Sequence, residues 1–180
     1  SVLDPQLPVT RGSFAMPDSY FEFRVQQAQA LERSLPVFQH VAAEFFEVAQ
    51  RRYAPVEAYR CDNADRVVVL LGSTAGTVKD VVDELRLEGE HVGLVEITTF
   101  RPFPHAALAA AVEGVDEVIV LDRADSPGGT PPLHAEVAAS LYGSEIRLSG
   151  HVYGLGGRDF HPEDARALFA CERDGIPWLV

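Results

Sequence analysis

The sequence predicts an α/β fold on a mainly parallel sheet, preceded by a long helical segment. Three observations carry this: apolar residues recurring every three or four positions over 21–48, short β-branched runs at 66–72, 91–97 and 117–122, and helical patterns between those runs. Strands separated by helices form βαβ units, whose strands run parallel and whose crossovers are right-handed.

In the first segment Phe21, Val25, Ala28, Leu31, Leu35, Phe38, Val41, Phe45 and Val48 define one face of a helix, or of two helices in line with Pro36 as the kink or the second start. Ser19-Tyr20-Phe21-Glu22 fits a capping box at its beginning. Such a stripe needs cover, and packing of residues 1–52 on a domain formed by 53–180 is the expectation. A coiled coil would need a sustained 3.5-residue repeat that these gaps do not keep. After a turn-rich connection over 53–64, Arg66-Val67-Val68-Val69-Leu70-Leu71-Gly72 is a strand buried on both faces. A helix over 75–87 turns Val78, Val81, Val82 and Leu85 inward and closes at Gly89. The second strand covers 91–97, and a helix over 104–112 has Pro104 at its first position and Gly114 beyond its end. The third strand is 117–122. A helix over 132–141, a strand near 145–148 and a helix over 162–170 complete the chain.

The 180 residues suffice for one ordinary domain and not for a multi-cofactor enzyme. A formal net charge of −12 argues against nucleic acid, whose affinity depends on clustered cations. Two cysteines, Cys61 and Cys171, supply neither the thiolates of an iron–sulfur cluster nor a C-x-x-C pair, and are expected to be reduced and largely buried. No run reaches the length of a membrane span, and the chain reads as cytoplasmic. A start at Ser1 points to a piece of a longer polypeptide. The six histidines offer no pair at helical ligand spacing, so no metal site is expected, and Glu163 and Asp164 read as first-turn helix charges.

In a parallel sheet, chemistry gathers where strands end and helices begin. Gly72-Ser73-Thr74-Ala75-Gly76-Thr77 runs into a helix start whose free amides suit an anion, or is simply a tight turn capped by hydroxyls. It matches neither the dinucleotide fingerprint nor the P-loop, and the elbow-like Gly72-x-Thr74-x-Gly76 lacks partners for a hydrolase. Thr98-Thr99-Phe100-Arg101-Pro102-Phe103-Pro104 holds Arg101 between two phenylalanines, for a carboxylate or phosphate or for an interdomain salt bridge. Asp122-Arg123 ends the third strand ahead of Gly128-Gly129, a loop that moves on binding or simply turns. Gly154-Leu155-Gly156-Gly157-Arg158-Asp159 permits close backbone approach, with Arg158 and Asp159 able to clamp neighbouring loops.

Several motifs in order now align with one family. Tyr20-Phe21-Glu22-Phe23-Arg24, Tyr59-Arg60-Cys61-Asp62-Asn63-Ala64-Asp65, Gly72-Ser73 with Gly76-Thr77, Thr99-Phe100-Arg101-Pro102-Phe103-Pro104, Leu121-Asp122-Arg123 and Gly154-Leu155-Gly156-Gly157-Arg158-Asp159 resemble the second domain of pyruvate:ferredoxin oxidoreductases. The resemblance covers nearly the whole chain. It implies a three-layer αβα sandwich like the C-terminal domain of transketolases, serving as a scaffold between thiamine-binding domains. It also implies an enzyme that decarboxylates a 2-oxo acid with thiamine diphosphate and Mg, passes electrons through [4Fe-4S] clusters to ferredoxin, and makes acyl-coenzyme A.

Asn63 is the only asparagine, so the thiamine motif ending Asn-Asn is absent, and the cluster cysteines are missing too. No family catalytic residue falls on this chain, and no cofactor is expected to bind it. Ser73, Thr74, Gly76, Thr77, Arg101, Arg123, Arg158 and Asp159 are therefore candidates for contacts with other domains or subunits, the complete enzyme being a homo-oligomer. Two alternatives stay open: a standalone module taking coenzyme A or another phosphate at the 72–77 helix start, and an oligomerisation element using the 21–48 stripe.

Overall fold

The computed structural model describes residues 4–8, 12 and 14–170. Helices α1 (Tyr20–Glu32) and α2 (Ser34–Ala49) lead into strand β1 (Val56–Tyr59). Then follow β2 (Arg66–Leu71), α3 (Thr74–Leu87), β3 (Val92–Ile97), α4 (His105–Ala111), β4 (Glu117–Asp122), α5 (Pro132–Ser140), β5 (Arg147–Val152) and α6 (Pro162–Ala170). The five strands form one sheet in the order β1-β3-β2-β4-β5, parallel except for the antiparallel β1–β3 pair.

The uninterrupted apolar runs of β2 and β4 follow from their central position, because alternate residues feed two cores. Val68, Leu70, Ile119 and Leu121 pack with Val78, Val82 and Leu85 of α3 and Leu168 of α6. Val67, Val69, Val118 and Val120 pack with Leu108 of α4 and Leu133 and Val137 of α5. Helices on both faces complete the three-layer sandwich. Each fully buried Val or Leu side chain in these layers contributes about 1.5–3 kcal/mol.

Several boundaries differ from the sequence expectation, each for a physical reason. β1 lies inside the stretch expected as a turn-rich connection; four residues at a sheet edge leave too little alternation to read, and the sheet is mixed as a result. β5 runs to Val152 instead of stopping near 148, because Ser149, Gly150 and His151 are buried in the sheet despite weak strand propensity. Gly150 sits beneath the His134 ring, where an added Cβ would be 2.3 Å from Nδ1. Pro104 is the cap of α4 and not its first helical residue. Ser19 precedes α1 but makes no side-chain capping bond, so the expected capping box is not formed. At the other end, Asp164 accepts a bond from the His161 N–H at 2.8 Å, closing the start of α6.

The helical lead breaks at Arg33, where Pro36 in the first turn of α2 lacks the N–H that would reach the Glu32 carbonyl. Its apolar stripe is divided. On α2 the half-buried face is Leu35, Phe38, Ala42, Phe46 and Ala49, while Val41, Phe45 and Val48 of the expected stripe are exposed. Neither helix holds a buried residue.

Candidate functional site

β2 and β4 are neighbours whose onward connections leave in opposite directions, to β3 on one side and towards β5 on the other. This is the switch point of the sheet, where a crevice opens beyond the carboxyl ends of the strands. Ser73, Thr74, Thr77, Arg123, Arg158, Asp159 and Phe160 line a crevice of about 210 Å³ at this place. Residues from three separate sequence motifs therefore meet around the start of α3. Gly76 lies in the first turn of α3 without lining the crevice.

The crevice wall is fixed from below by Tyr153. Its buried hydroxyl donates to Thr74 Oγ1 at 2.8 Å, and its ring meets Phe160 edge-on at 5.0 Å. The Thr74 hydroxyl is thus engaged with Tyr153, and Ser73 makes no side-chain cap, so the turn is not capped by hydroxyls as one reading of the sequence expected. Arg123 lies over the Tyr153 ring, 5.9 Å from ring centroid to guanidinium carbon, with Nε 3.5 Å from the Gly154 carbonyl. Gly154 has φ +62, and a Cβ there would stand 3.0 Å from Arg123 Nε, so glycine gives both the turn and the room.

Among the described residues some of the arginines are paired with carboxylates and some, such as Arg52 and Arg86, are not. Arg60, Arg66, Arg101, Arg147 and Arg166 each hold a carboxylate. Arg123 and Arg158 do not, among the described residues, although the chain carries a net charge of −12. Helix α3 begins beside them; its Ala75 and Gly76 amides bond the Gly72 and Ser73 carbonyls, and it adds the positive end of its dipole. Two cations beside a helix start can grip a carboxylate or a phosphate.

Arg101 stands apart from this group. Its Nη2 bonds Glu136 Oε1 of α5 at 2.6 Å, and its guanidinium covers the Phe100 ring at 4.3 Å. The arginine between phenylalanines thus closes a contact inside the domain, between the β3–α4 loop and α5.

The loop after β4 is governed by Asp122, a residue whose role the sequence reading missed. Its buried carboxylate accepts from the N–H groups of Leu133 at 2.7 Å, His134 at 3.2 Å and Ala124 at 3.2 Å. It therefore satisfies the free amides at the start of α5, where Pro131 and Pro132 provide no donors, and ties both ends of the Gly128-Gly129 loop. The signal was a carboxylate ending a buried strand a loop's length before a proline-led helix.

The Tyr59-Arg60-Cys61-Asp62-Asn63 motif is also structural. Arg86 of α3 donates to the carbonyls of Arg60 and Val92 and to Asn63 Oδ1. Burial pushes the Cys61 thiol up, and its S–H points at the Leu94 carbonyl at 3.3 Å, the environment of an inert thiol. Cys171 lies outside the described residues. Among the described residues no group of three His, Cys, Asp or Glu is placed to hold a metal ion, and no helix is long and apolar enough to cross a membrane.

Residues 64–165 match the family model described as pyruvate:ferredoxin oxidoreductase core domain II. The chain is 47% identical over 170 residues to the pyruvate synthase subunit PorA of Thermotoga maritima, which covers 93% of this chain and 43% of that subunit. It is 38% identical over 171 residues to the ketoisovalerate oxidoreductase subunit VorA of Pyrococcus horikoshii, again 93% of this chain and 43% of the relative. The chain thus spans less than half the length of these relatives. Among solved structures, a split-gene transketolase in an inactive β4 tetramer matches with a TM-score of 0.52 at 18% identity, over 67% of this chain and 42% of that one. That likeness concerns the fold.

Proposed function

The chain belongs to the pyruvate:ferredoxin oxidoreductase family, as its core domain II, and from that premise we propose that it is a noncatalytic scaffold of a 2-oxoacid:ferredoxin oxidoreductase. The observation that carries this is an alignment at 47% identity running through 93% of the chain yet only 43% of a pyruvate synthase subunit. Pyruvate is the proposed 2-oxo acid and ferredoxin the proposed acceptor, in the cytoplasm.

The cofactors such an enzyme uses do not fit the residues present here. An iron–sulfur cluster takes four thiolates, whereas the sequence has two cysteines, of which Cys61 is half-buried and bonded to a carbonyl. Thiamine diphosphate is held through its Mg by carboxylate and amide oxygens, and the switch-point crevice presents guanidinium groups and hydroxyls with the single carboxylate of Asp159. We therefore place thiamine diphosphate, Mg, [4Fe-4S] clusters and coenzyme A in other parts of the enzyme.

The role proposed for the crevice is contact. Arg123 and Arg158, without a carboxylate partner among the described residues and backed by the start of α3, would receive a carboxylate-bearing loop of a neighbouring domain or subunit, with Ser73, Thr77 and Asp159 as further donors and acceptors. A standalone coenzyme A module is not favoured, since about 210 Å³ is below the 300–1,000 Å³ typical of small-molecule sites.

The test is to tag this chain in its source cells and purify it under native conditions. Pyruvate:ferredoxin activity should co-purify with the tag and be lost from the eluate when Arg123→Glu and Arg158→Glu are combined. Recovery of the tagged chain free of any 2-oxoacid:ferredoxin activity would refute the assignment.

A further inference from the structure

Apart from Leu87, Tyr142 and Leu155, every exposed large apolar side chain among the described residues falls between Leu7 and Tyr53. Helix α1 is exposed along its whole length, including Phe21 at 73% and Phe23 at 47%. A helix of 13 residues without a buried face or a side-chain cap is marginal in water. Phe21, Val25, Ala28 and Leu31 share one side and Phe23 lies opposite, so apolar side chains stand open on more than one side of this helix.

Helix α2 repeats the point. Ala42 and Phe46 line an open groove facing residues 52–58, Arg52 lies over the Phe46 ring and Tyr53 meets the Phe45 ring at 5.8 Å, while Val37, Val41, Phe45 and Val48 are exposed at spacings of four, four and three. At roughly 150–200 Å² for each fully exposed side chain of this size, the two helices leave on the order of 800 Å² of apolar surface open, about one partner's share of a standard interface.

Building on the reading of this chain as one domain of a larger oxidoreductase, we infer that α1 and α2 are a docking arm for the remainder of the same subunit. One observation and one principle select that occupant. More than half of each matched subunit lies outside the region that this chain covers, and a covalently joined domain meets the arm at a high effective concentration. Charge disfavours a second copy. The arm carries Glu22, Glu32, Glu44 and Glu47 against Arg24 and Arg33, with Arg52 over the Phe46 ring, and each copy has a net charge of −12, so two copies as a whole repel. The surface that fits is apolar at its centre and basic at its rim.

Amide hydrogen exchange on the natively purified oxidoreductase and on the isolated 180-residue chain tests this. Amides of residues 21–48 should exchange within seconds in the isolated chain and at least a hundredfold more slowly in the complex. Phe21→Glu combined with Val41→Glu should leave the melting temperature of the isolated chain unchanged and speed exchange of residues 21–48 in the complete subunit at least tenfold. Fast exchange in both samples overturns the inference, and so does slow exchange in an isolated chain that sediments as a dimer, which assigns the arm to a second copy. A chain present in active complex with an unprotected arm defeats this inference alone; a chain that never accompanies the activity defeats the scaffold reading and this inference with it.

Discussion

Replacing Asp122 with alanine removes the acceptor for three backbone N–H groups without disturbing a packed apolar side chain. Leu133 N–H is buried and bonded at 2.7 Å, and those of His134 and Ala124 are bonded at 3.2 Å. A hydrogen bond to a charged acceptor contributes about 1.5–3 kcal/mol, and a carboxylate at a helix start roughly 0.3–1 kcal/mol more. The two longer bonds are weaker and partly replaceable by water, so the expected loss is about 3–5 kcal/mol. Asp122→Asn keeps one carbonyl oxygen and should cost about 1–2 kcal/mol. Urea denaturation followed by far-UV circular dichroism measures both, with a shifted midpoint and an unchanged slope. Amides of residues 123–134 should lose exchange protection in the alanine variant before the sheet does. A cost below about 0.5 kcal/mol for Asp122→Ala would refute the reasoning, since that is the range of an uninvolved surface site.

Further outcomes follow from other contacts. Gly150→Ala would drive a methyl to 2.3 Å from His134 Nδ1, so it should destabilise by about 2–3 kcal/mol and do so much less in a His134→Ala background, measured as a double-mutant cycle. Burial holds His134 below its ordinary value of 6.5, against a weaker opposing pull from Asp122, so the unfolded chain binds the proton more readily. This contribution to stability is complete above about pH 6.5 and declines as pH falls below it, a limb that His134→Gln should flatten in urea midpoints. Cys61, raised by burial and bonded to the Leu94 carbonyl, should react with a disulfide reagent at pH 8 at least tenfold more slowly than in the unfolded chain, in a Cys171→Ser background.

What the sequence revealed and what it hid have a common physical basis. β2 and β4 were legible because a strand buried on both faces must be apolar throughout, and α3 because Val78, Val81, Val82 and Leu85 repeat at helical spacing. β5 was misplaced because Ser149 answers Glu117 and Gly150 makes room for His134, partners far away in the chain. Arg123 and Arg158 were legible as candidates because polar residues at strand ends in an α/β sheet gather at its carboxyl edge. Their separation from Arg101 was not, since Glu136 lies 35 residues away on α5. Asp122 escaped for the same reason: its partners are backbone amides that only the returning helix brings near. The stripe of α2 is legible only in part, because three- and four-residue spacings allow Leu35 and Phe38 to be grouped with either Ala42 and Phe46, which are half-buried, or Val41 and Phe45, which are exposed.

In the proposed division of labour this domain holds its neighbours and leaves the chemistry to them. Pyruvate-dependent reduction of ferredoxin by the purified 180-residue chain, supplied with thiamine diphosphate, Mg²⁺ and coenzyme A, tests that most directly. The prediction is a rate indistinguishable from the protein-free blank, while the natively purified oxidoreductase turns over under the same conditions. Sustained turnover by the isolated chain would contradict it.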